Sequence, residues 1–255
     1  MTTRAIDVSV IVPCKDEAGT VSRIVVSVSK IPLRGELIFV DGHSTDGTRE
    51  AIRRAIRTLG GGRHRSWRIY DKQQPGRGKW DAVSYGMRRA RGQALVIYDA
   101  DMSVDPTVIV HVVSALVKKP SALVMGSRFI YPQEPGAMRL LNHTGNILFS
   151  WIFSLMVGSR ITDTLCGTKA LTRVQYQNIW HATKKFRIHD PYGDFTLLLG
   201  AAKLGMPIVE VPVVYRARVY GVTKISRFRD GMKLLVVLYH AMKDFRVRKR
   251  DATRS

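Results

Sequence analysis

Two aspartates separated by a single residue have the clearest chemical meaning in this sequence. Asp99 and Asp101 follow the apolar run ALVIY of residues 94–98, with Ala100 between them. Two carboxylates this close repel each other unless a cation neutralises them. A hard divalent ion such as Mg²⁺ or Mn²⁺ does so while still binding phosphate oxygens, and it offsets charge on a leaving diphosphate. The pair indicates a metal and diphosphate site; the alternative is an acidic loop before the next helix.

Polar residues also follow other apolar runs. Asp41 comes directly after IFV, where a carboxylate can accept hydrogen bonds from ribose hydroxyls or a base N–H. Glu17 is either a nucleotide contact or an acid favoured by the dipole of a helix that starts there. Residues 76–79 (GRGK) lack the spacing of a Walker motif, but Lys79 can reach a diphosphate. Further cations suited to anionic groups are Arg128, Arg139, Arg218 and Lys224.

A regular alternation of strands and helices would bring these residues together. Short, β-branched apolar runs predict buried strands at 8–12, 36–40, 67–70, 94–98 and 122–125. Helices are predicted between them, at about 17–30, 45–58, 79–91 and 105–118. This pattern predicts a parallel sheet that is covered on both faces and binds its ligand beyond the carboxyl ends of the strands. Polar or glycine-rich residues follow every strand, so one edge gathers carboxylates and cations.

The second half of the chain is less regular. Its pattern predicts an apolar helix at 142–158, a loop at 162–172 leading into a short strand, a helix at 194–204 capped by Gly205, an edge strand at 208–214 that contains Pro212, and a long final helix from 226 to about 248. We therefore expect one α/β domain at residues 1–225 and a C-terminal amphipathic helix with a basic tail at 226–255.

Composition and charge limit the possible functions. The 255 residues are 45% hydrophobic, enough for a sizeable core, and two cysteines exclude a disulfide framework or a zinc cage built on thiolates. The net charge of +21 favours nucleic acid, an anionic membrane or phosphorylated ligands. Nucleic acid is not expected, because the basic runs at 49–57 and 246–250 contain no aromatic residue between their ends.

The same features suggest a location. The longest apolar runs fall short of the roughly 20 residues of a bilayer span, and the N-terminus is unlike a signal peptide. We expect a cytoplasmic protein, peripheral at the inner face of the membrane, whose basic tail contacts anionic lipid. The apolar stripe of the final helix is expected to pack on the domain or on a second subunit; it consists of Phe228, Met232, Leu235, Tyr239 and Met242.

The loop segments together resemble a known family. VPCKDE, VDGHSTDGT, GRGKWDA, YDADMSVDP and GSRF occur in the order and at the spacing of family 2 glycosyltransferases with a GT-A fold. RLLNHTGN, TDTLCGTKAL, EVPV and RVYGVTK look like the branch that contains dolichyl-phosphate mannose synthase and the polyprenyl-phosphate glycosyltransferases. The similarity runs from about Val8 to Lys233. It implies a GT-A (Rossmann-like), mostly parallel sheet flanked by helices.

The resemblance also implies ligands and roles. A nucleotide-sugar donor would be bound by Pro13, Glu17, Asp41, Lys79, Asp99, Arg218 and Lys224. A divalent metal, Mg²⁺ or Mn²⁺, would be held by Asp99 and Asp101, and the acceptor phosphate would face Arg128 and Arg139. The loop that carries Arg218 and Lys224 would close over the bound donor.

Three segments depart from the family pattern. Many relatives have Asp-Asp-Gly-Ser where this chain has DGHS at 41–44, so one donor contact is in doubt. Ser103 replaces a frequent Gln near the metal, which puts a third protein ligand in doubt. CGTK at 166–169 stands where Ser-Gly-Phe-Arg is usual, a change that affects the acceptor pocket.

The catalytic base depends on the acceptor. Inverting transfer to a hydroxyl requires a carboxylate that removes its proton, and the candidates are Asp194 first, Asp190 second and Asp163 third. Asp194 is equally well explained as a helix N-cap. If the acceptor is a phosphate anion, no strong base is needed.

The expected function is therefore a metal-dependent, inverting transfer of a sugar from a nucleotide-diphosphate sugar to a polyprenyl (dolichyl-type) phosphate. The alternative is the same donor chemistry on a small soluble hydroxyl acceptor. A nucleotidyltransferase is less favoured, because the chain has no early glycine-rich N-terminal loop of that kind.

Overall fold

One seven-stranded sheet forms the centre of the computed structural model, which describes residues 7–60, 66–130, 140–184, 190, 192–216, 218, 220, 221, 235, 236, 238–240 and 243. The strands are β1 (Val8–Cys14), β2 (Gly35–Asp41), β3 (Trp67–Gln73), β4 (Ala94–Ile97), β5 (Leu123–Ser127), β6 (Lys169–Thr172) and β7 (Ile208–Pro212). Their order across the sheet is β3-β2-β1-β4-β6-β5-β7. Every neighbouring pair is parallel except those that involve β6, which runs antiparallel to β4 and β5.

Helices cover both faces of this sheet. They are α1 (Ala18–Ser29), α2 (Thr48–Ala55), α3 (Lys79–Arg89), α4 (Val108–Lys118), α5 (Leu140–Val157), α6 (Arg173–Thr183) and α7 (Asp194–Lys203), and a π-helical turn (Ile56–Gly60) follows α2. Alternation along β1 sends Val10 and Val12 into one apolar cluster with α1, α2 and α4, and Ile11 into the other with α3, α5, α6 and α7. Both faces of each central strand are therefore buried, which explains the continuous apolar runs in the sequence.

The mostly parallel sheet with flanking helices is confirmed, including Pro212 on the edge strand β7. Gly205 follows α7 with φ 64°, and the N–H groups of Gly205 and Met206 donate to carbonyls in the last turn, as expected of a C-terminal cap. The short strand predicted near 172 becomes β6, and its insertion between β4 and β5 was not predicted. Periodicity identifies a strand but does not specify its neighbour in the sheet.

Other differences have local causes. Helix α2 begins at Thr48 rather than at about 45, because Gly47 is left-handed with φ 86°. Helix α6 was not predicted, although its start carries a capping box in which the Thr172 hydroxyl accepts from the Gln175 N–H and the Gln175 side chain accepts from the Thr172 N–H. The pattern Thr-x-x-Gln was the signal that could have revealed it.

The predicted C-terminal helix lies mostly outside the described residues. Residues 235, 236, 238–240 and 243 are described and are helical. The expected domain boundary at 225/226 also falls outside them. Among the described helices, none combines the length and apolar character needed to cross a membrane.

Candidate functional site

Five residues predicted for the site meet at the carboxyl edge of β1 and β4. The Lys79 Nζ lies 2.7 Å from Asp99 Oδ1. Arg218 donates from Nη2 to Asp101 Oδ2 at 3.0 Å and from Nη1 to Glu17 Oε1 at 2.8 Å. Segments that are up to about 200 residues apart in the chain thus bring together three carboxylates and two cations, as a Lys79–Asp99 pair and as Arg218 bonded to both Asp101 and Glu17.

The opposite charges of Lys79 and Asp99 keep both of these groups ionised. Burial acts to raise the pKa of Asp99, but the Lys79 ammonium outweighs it, and the carboxyl pKa lies below its usual value. Burial likewise acts to lower the pKa of Lys79, and Asp99 outweighs it, so the ammonium pKa lies above its usual value. The two side chains remain 25% and 37% exposed, so solvent and ligands can reach them.

The antiparallel strand β6 adds groups beside Asp99. Lys169 is fully buried, and its Nζ lies 2.5 Å from both Asp194 Oδ1 and the carbonyl oxygen of Cys166. A Cβ at Gly167 would lie 2.0 Å from Asp99 Oδ2 and 2.6 Å from Lys79 Nζ. Gly167 therefore allows the close approach of this backbone to the Lys79–Asp99 pair.

Side chains from the loop after β2 and from the start of α2 hold the loop after β1. The N–H of Asp16 donates to the Ser44 hydroxyl at 2.9 Å, and the N–H of Glu17 donates to the Thr48 hydroxyl at 2.8 Å. Asp41 is 2% exposed, and its Oδ2 accepts from the Ser44 N–H at 3.3 Å. Within the described part of the chain, its Oδ1 is buried without a hydrogen-bond partner. A buried carboxylate oxygen without a partner favours a ligand that donates a hydrogen bond to it.

Strained backbone concentrates at the same edge of the sheet. Asp16, His43 and Met102 have φ angles of 49°, 60° and 54°, which non-glycine residues rarely adopt. They lie in the loops after β1, β2 and β4. Such strain is common at ligand sites and is maintained by the surrounding contacts.

Arg128 and Asp163 form a separate buried pair. Arg128 donates to Asp163 from Nε at 2.6 Å, from Nη2 at 2.8 Å and from its backbone N–H at 3.1 Å. Asn146 Nδ2 and the Leu165 N–H also donate to Asp163. Burial acts to raise the Asp163 pKa, but the hydrogen bonds and charge of Arg128 outweigh it and lower that pKa. This carboxylate orients Arg128, whose guanidinium also lies 5.1 Å from the Tyr215 ring centroid.

The other two candidate bases have different surroundings. Asp194 begins α7 and is paired with Lys169. Asp190 accepts hydrogen bonds from the N–H groups of Tyr192 and Thr196, so Asp190, rather than Asp194, bonds the start of α7. Burial, with Asp194 second, raises the pKa of Asp190.

The remaining predicted residues lie in several parts of the fold. Pro13 lies in β1 and pairs in register with Val40 of β2. Ser103 donates its N–H to Asp101 Oδ1 at 3.0 Å and therefore supports a predicted metal ligand through its backbone. His43 Nε2 lies 3.1 Å from the Gly76 carbonyl oxygen, joining the loops after β2 and β3. Arg139 and Lys224 lie outside the described residues.

Sequence reasoning had not assigned roles to Lys169, Gly167, Asn146 and Tyr215. A lysine at the start of the apolar strand KALT was the available signal for Lys169, because a charge there needs a buried partner. No local pattern indicated that Asn146 and Tyr215 approach Arg128 and Asp163, since these contacts join distant segments.

Comparison with known proteins now decides the family. The family model described as "Glycosyl transferase family 2" matches residues 9–189, more than half of the chain. The chain belongs to glycosyl transferase family 2. This glycosyltransferase is 27% identical over 238 residues to "Glycosyltransferase AglJ" of Haloferax volcanii, covering 92% of this chain and 72% of that protein. It is also 27% identical to the "Dolichyl-phosphate hexose transferase" of the same organism over 227 residues, or 88% and 89% of the two chains.

Solved structures support the GT-A fold of this glycosyltransferase. The crystal structure of glucosyl-3-phosphoglycerate synthase from Mycobacterium tuberculosis, in complex with Mn²⁺, UDP and glucosyl-3-phosphoglycerate, superimposes with a TM-score of 0.66. The identity is 19%, and the match covers 93% of this chain and 79% of that one. At this identity the likeness establishes the fold.

Proposed function

We propose that this glycosyltransferase moves a sugar, with inversion, from a nucleotide-diphosphate sugar to a polyprenyl (dolichyl-type) phosphate. The choice of a phosphate acceptor rests on one observation, which is that all three candidate bases already have ion-pair or hydrogen-bond partners. Lys169 pairs with Asp194, Arg128 pairs with Asp163, and backbone N–H groups donate to Asp190. A hydroxyl acceptor needs a carboxylate able to take its proton, whereas a phosphate acceptor is already anionic. The name of the dolichyl-phosphate relative supports the same acceptor class.

A divalent metal fits the carboxylates at the end of β4. Asp99 and Asp101 each face a cation, Lys79 and Arg218 respectively, so this position already attracts positive charge. Oxygen ligands of this kind suit Mg²⁺ or Mn²⁺. The described residues offer no cluster of three or more His, Cys, Asp or Glu, so water and donor phosphate oxygens would complete the shell. When bound, the ion would offset negative charge on the departing diphosphate.

The loops around this position are proposed to bind the rest of the donor. Asp41 would accept from the nucleoside, because its buried Oδ1 has no partner among the described residues. Glu17 would contact the same part of the donor, and Pro13 would line the site beside it. The cations Lys79, Arg218 and Lys224 would bind the diphosphate.

The acceptor phosphate is proposed to bind at Arg128, with Arg139 as a second cation. Burial acts to lower the pKa of Arg128, but its hydrogen bonds to Asp163 outweigh this and raise the pKa, so the guanidinium stays charged. Asp163 is thereby a positioning residue. We also propose that the enzyme works at the cytoplasmic face of the membrane, where a lipid phosphate would be presented to it.

A soluble hydroxyl acceptor is the second candidate, and one observation favours it. The pKa of Asp190 is raised, first by burial and then by Asp194, and a carboxyl of raised pKa beside a site is suited to proton exchange. Asp190 or Asp194 would then be the base.

An acceptor comparison separates the two candidates. We would incubate the enzyme with radiolabelled UDP- and GDP-sugars and three acceptors: a polyprenyl phosphate in detergent micelles, the matching prenol, and 3-phosphoglycerate. We expect labelled lipid only with the polyprenyl phosphate and Mn²⁺ or Mg²⁺, and none with excess chelator. Transfer to the prenol at an equal rate would contradict the proposed need for an anionic acceptor.

Substitution of Arg218 should change metal and donor affinity in opposite directions. Arg218→Gln removes a guanidinium that donates to Asp101 Oδ2 and competes with a cation there, so Mn²⁺ should bind about tenfold more tightly in the absence of nucleotide. UDP or GDP should bind about tenfold more weakly with Mn²⁺ present, because a diphosphate cation is lost. Both affinities are measured by calorimetry. Arg216→Gln is the matched control, since Arg216 is 53% exposed and faces Asp105; weakened Mn²⁺ binding in Arg218→Gln would contradict this role.

A further inference from the structure

Helix α5 carries a row of large apolar side chains on its outer side. The α5 stripe consists of Ile147, Leu148, Trp151 and Leu155, which are 50%, 56%, 62% and 66% exposed. Ile147, Trp151 and Leu155 recur every four residues and therefore lie on one side of the helix. The other side is packed: Phe153 is fully buried, and its ring stacks on Phe195 with a centroid distance of 4.8 Å. Helix α5 is thus packed on its inner side and carries large apolar side chains on its outer side.

This exposure is unlike that of isolated surface residues. Val117 on α4 and Val174 on α6 are as exposed, but each is the only exposed large hydrophobic residue of its helix. Single residues of this kind are normal on protein surfaces. Four adjacent ones, including a tryptophan, are typical of an interaction surface.

The described part of the C-terminal helix repeats the same arrangement. Leu238 is buried in the apolar cluster that also contains Phe153 of α5. Leu235, Val236 and Tyr239 are each 51% exposed, and Lys243 Nζ lies 4.5 Å from the Tyr239 ring centroid. Two helical segments that contribute to one apolar cluster therefore both carry exposed large apolar side chains on their outer sides.

The residue types and charges favour a lipid surface. Tryptophan and tyrosine suit the boundary between acyl chains and headgroups, and aliphatic side chains suit the apolar layer below it. Arg160 is exposed just beyond α5, and the chain carries a net charge of +21. That charge attracts anionic headgroups, and it opposes association with a second copy of the same chain.

We propose that the α5 stripe is the surface by which this enzyme docks on an anionic phospholipid bilayer. Ile147, Leu148, Trp151 and Leu155 enter the interfacial layer while nearby cations contact the lipid phosphates. The proposal rests on the proposed lipid-phosphate acceptor, because docking brings the enzyme to where such an acceptor is held. It differs from the sequence expectation, which assigned membrane contact to the basic tail alone.

Vesicle flotation of the full chain tests the stripe directly. We expect co-flotation with phosphatidylcholine–phosphatidylglycerol vesicles and much less with phosphatidylcholine alone. Trp151→Ser combined with Leu155→Ser should weaken partitioning by about 100-fold, roughly tenfold for each exposed side chain removed from the interface. The matched control combines Val117→Ser with Val174→Ser, whose positions are 50% and 64% exposed on other helices, and should float as the wild type does.

A spectroscopic measurement places one residue in the lipid. Brominated phosphatidylcholine in the anionic vesicles quenches tryptophan that enters the acyl region, and Trp151 is the tryptophan of the stripe. Trp151→Phe keeps an apolar aromatic ring, so this variant should still float. It should also lose the quenched component of the fluorescence that the wild type shows.

Each remaining outcome overturns the proposal. If wild type does not float with anionic vesicles, or if the Trp151→Ser, Leu155→Ser variant floats equally well, the stripe is not the docking surface. A dimer in light scattering that this variant abolishes, without flotation of wild type, would assign the stripe to a second copy. These assays use no donor. Failure of the proposed sugar transfer would leave flotation unchanged, and the stripe variant should still transfer sugar to polyprenyl phosphate in micelles.

Discussion

Asp101→Asn is expected to abolish sugar transfer while leaving the fold intact. The carboxylate is one of two proposed metal ligands, and the metal's contribution to a leaving diphosphate is several kcal/mol, so kcat should fall by roughly 10³-fold or more. Folding should be little affected, because asparagine retains an oxygen that can accept from the Ser103 N–H and the side chain is 21% exposed. Stopped assays of product formation and thermal unfolding measure the two effects separately.

The control for this variant comes from the same loop. Asp105→Asn removes a carboxylate that is 41% exposed and paired at 3.5 Å with Arg216, a surface contact worth about 0–1 kcal/mol. It should keep near wild-type activity. Asp101→Asn should also lose Mn²⁺ binding in calorimetry without donor. Full activity of Asp101→Asn in excess chelator would remove the basis of the metal assignment and of the proposed mechanism.

Asp163→Ala is expected to have the largest effect on stability. The carboxylate is fully buried and accepts from Arg128, Asn146 and the Leu165 N–H. Removing it leaves the Arg128 guanidinium, which is only 12% exposed, without its ion-pair partner. Breaking a buried pair by removing one partner costs about 3–5 kcal/mol in the free energy of unfolding. Urea denaturation measures this loss.

The contribution of Asp163 to the free energy of unfolding should decrease as the pH is lowered. The folded-state pKa of Asp163 lies below its unfolded value, so its stabilisation is fully present above the unfolded-state pKa of about 3.9 and is lost as pH falls toward the folded-state pKa. The stability difference between wild type and Asp163→Ala should therefore be constant near neutral pH and shrink below about pH 4. A difference that grows as pH falls would contradict the ion-pair assignment.

A surface pair provides the stability control. Asp7 lies 3.9 Å from Arg34, and the two side chains are 63% and 75% exposed. Asp7→Ala should cost no more than about 1 kcal/mol. If Asp163→Ala also lowers the free energy of unfolding by no more than about 1 kcal/mol, the Arg128–Asp163 pair does not position Arg128 as proposed. Asp163 is then again a candidate base.

Much of the proposed donor side of the site could be predicted from the sequence, because it depends on short segments. A buried parallel strand is a continuous apolar run, and the residues directly after it lie at the carboxyl edge of the sheet. That rule alone was enough to predict that Glu17, Asp99 and Asp101 come together. Arg218 was predicted only as a cation suited to anionic groups, and its bonds to Glu17 and Asp101 were visible only in the structure.

The proposed acceptor side could not be predicted from short segments. The antiparallel insertion of β6 places Gly167 against Asp99 and buries Lys169 beside Asp194, and both depend on which strand pairs with which. The partner of Arg128 is 35 residues away, and spacing does not specify it. The exposed side of α5 is equally hidden, because the polar residues that recur at positions 146, 150 and 154 lie on the inner side of the helix, where they bond the 161–163 segment, and large apolar residues lie outside.

The sequence by itself determined the strand and helix alternation, the edge where the site lies and the carboxylates that meet there, since each depends on the local order of apolar and polar residues. Tertiary structure alone decided which carboxylates are neutralised by buried cations and which apolar side chains stay outside. Both depend on the distances between segments far apart in the chain, and these are set by the packing of the whole domain.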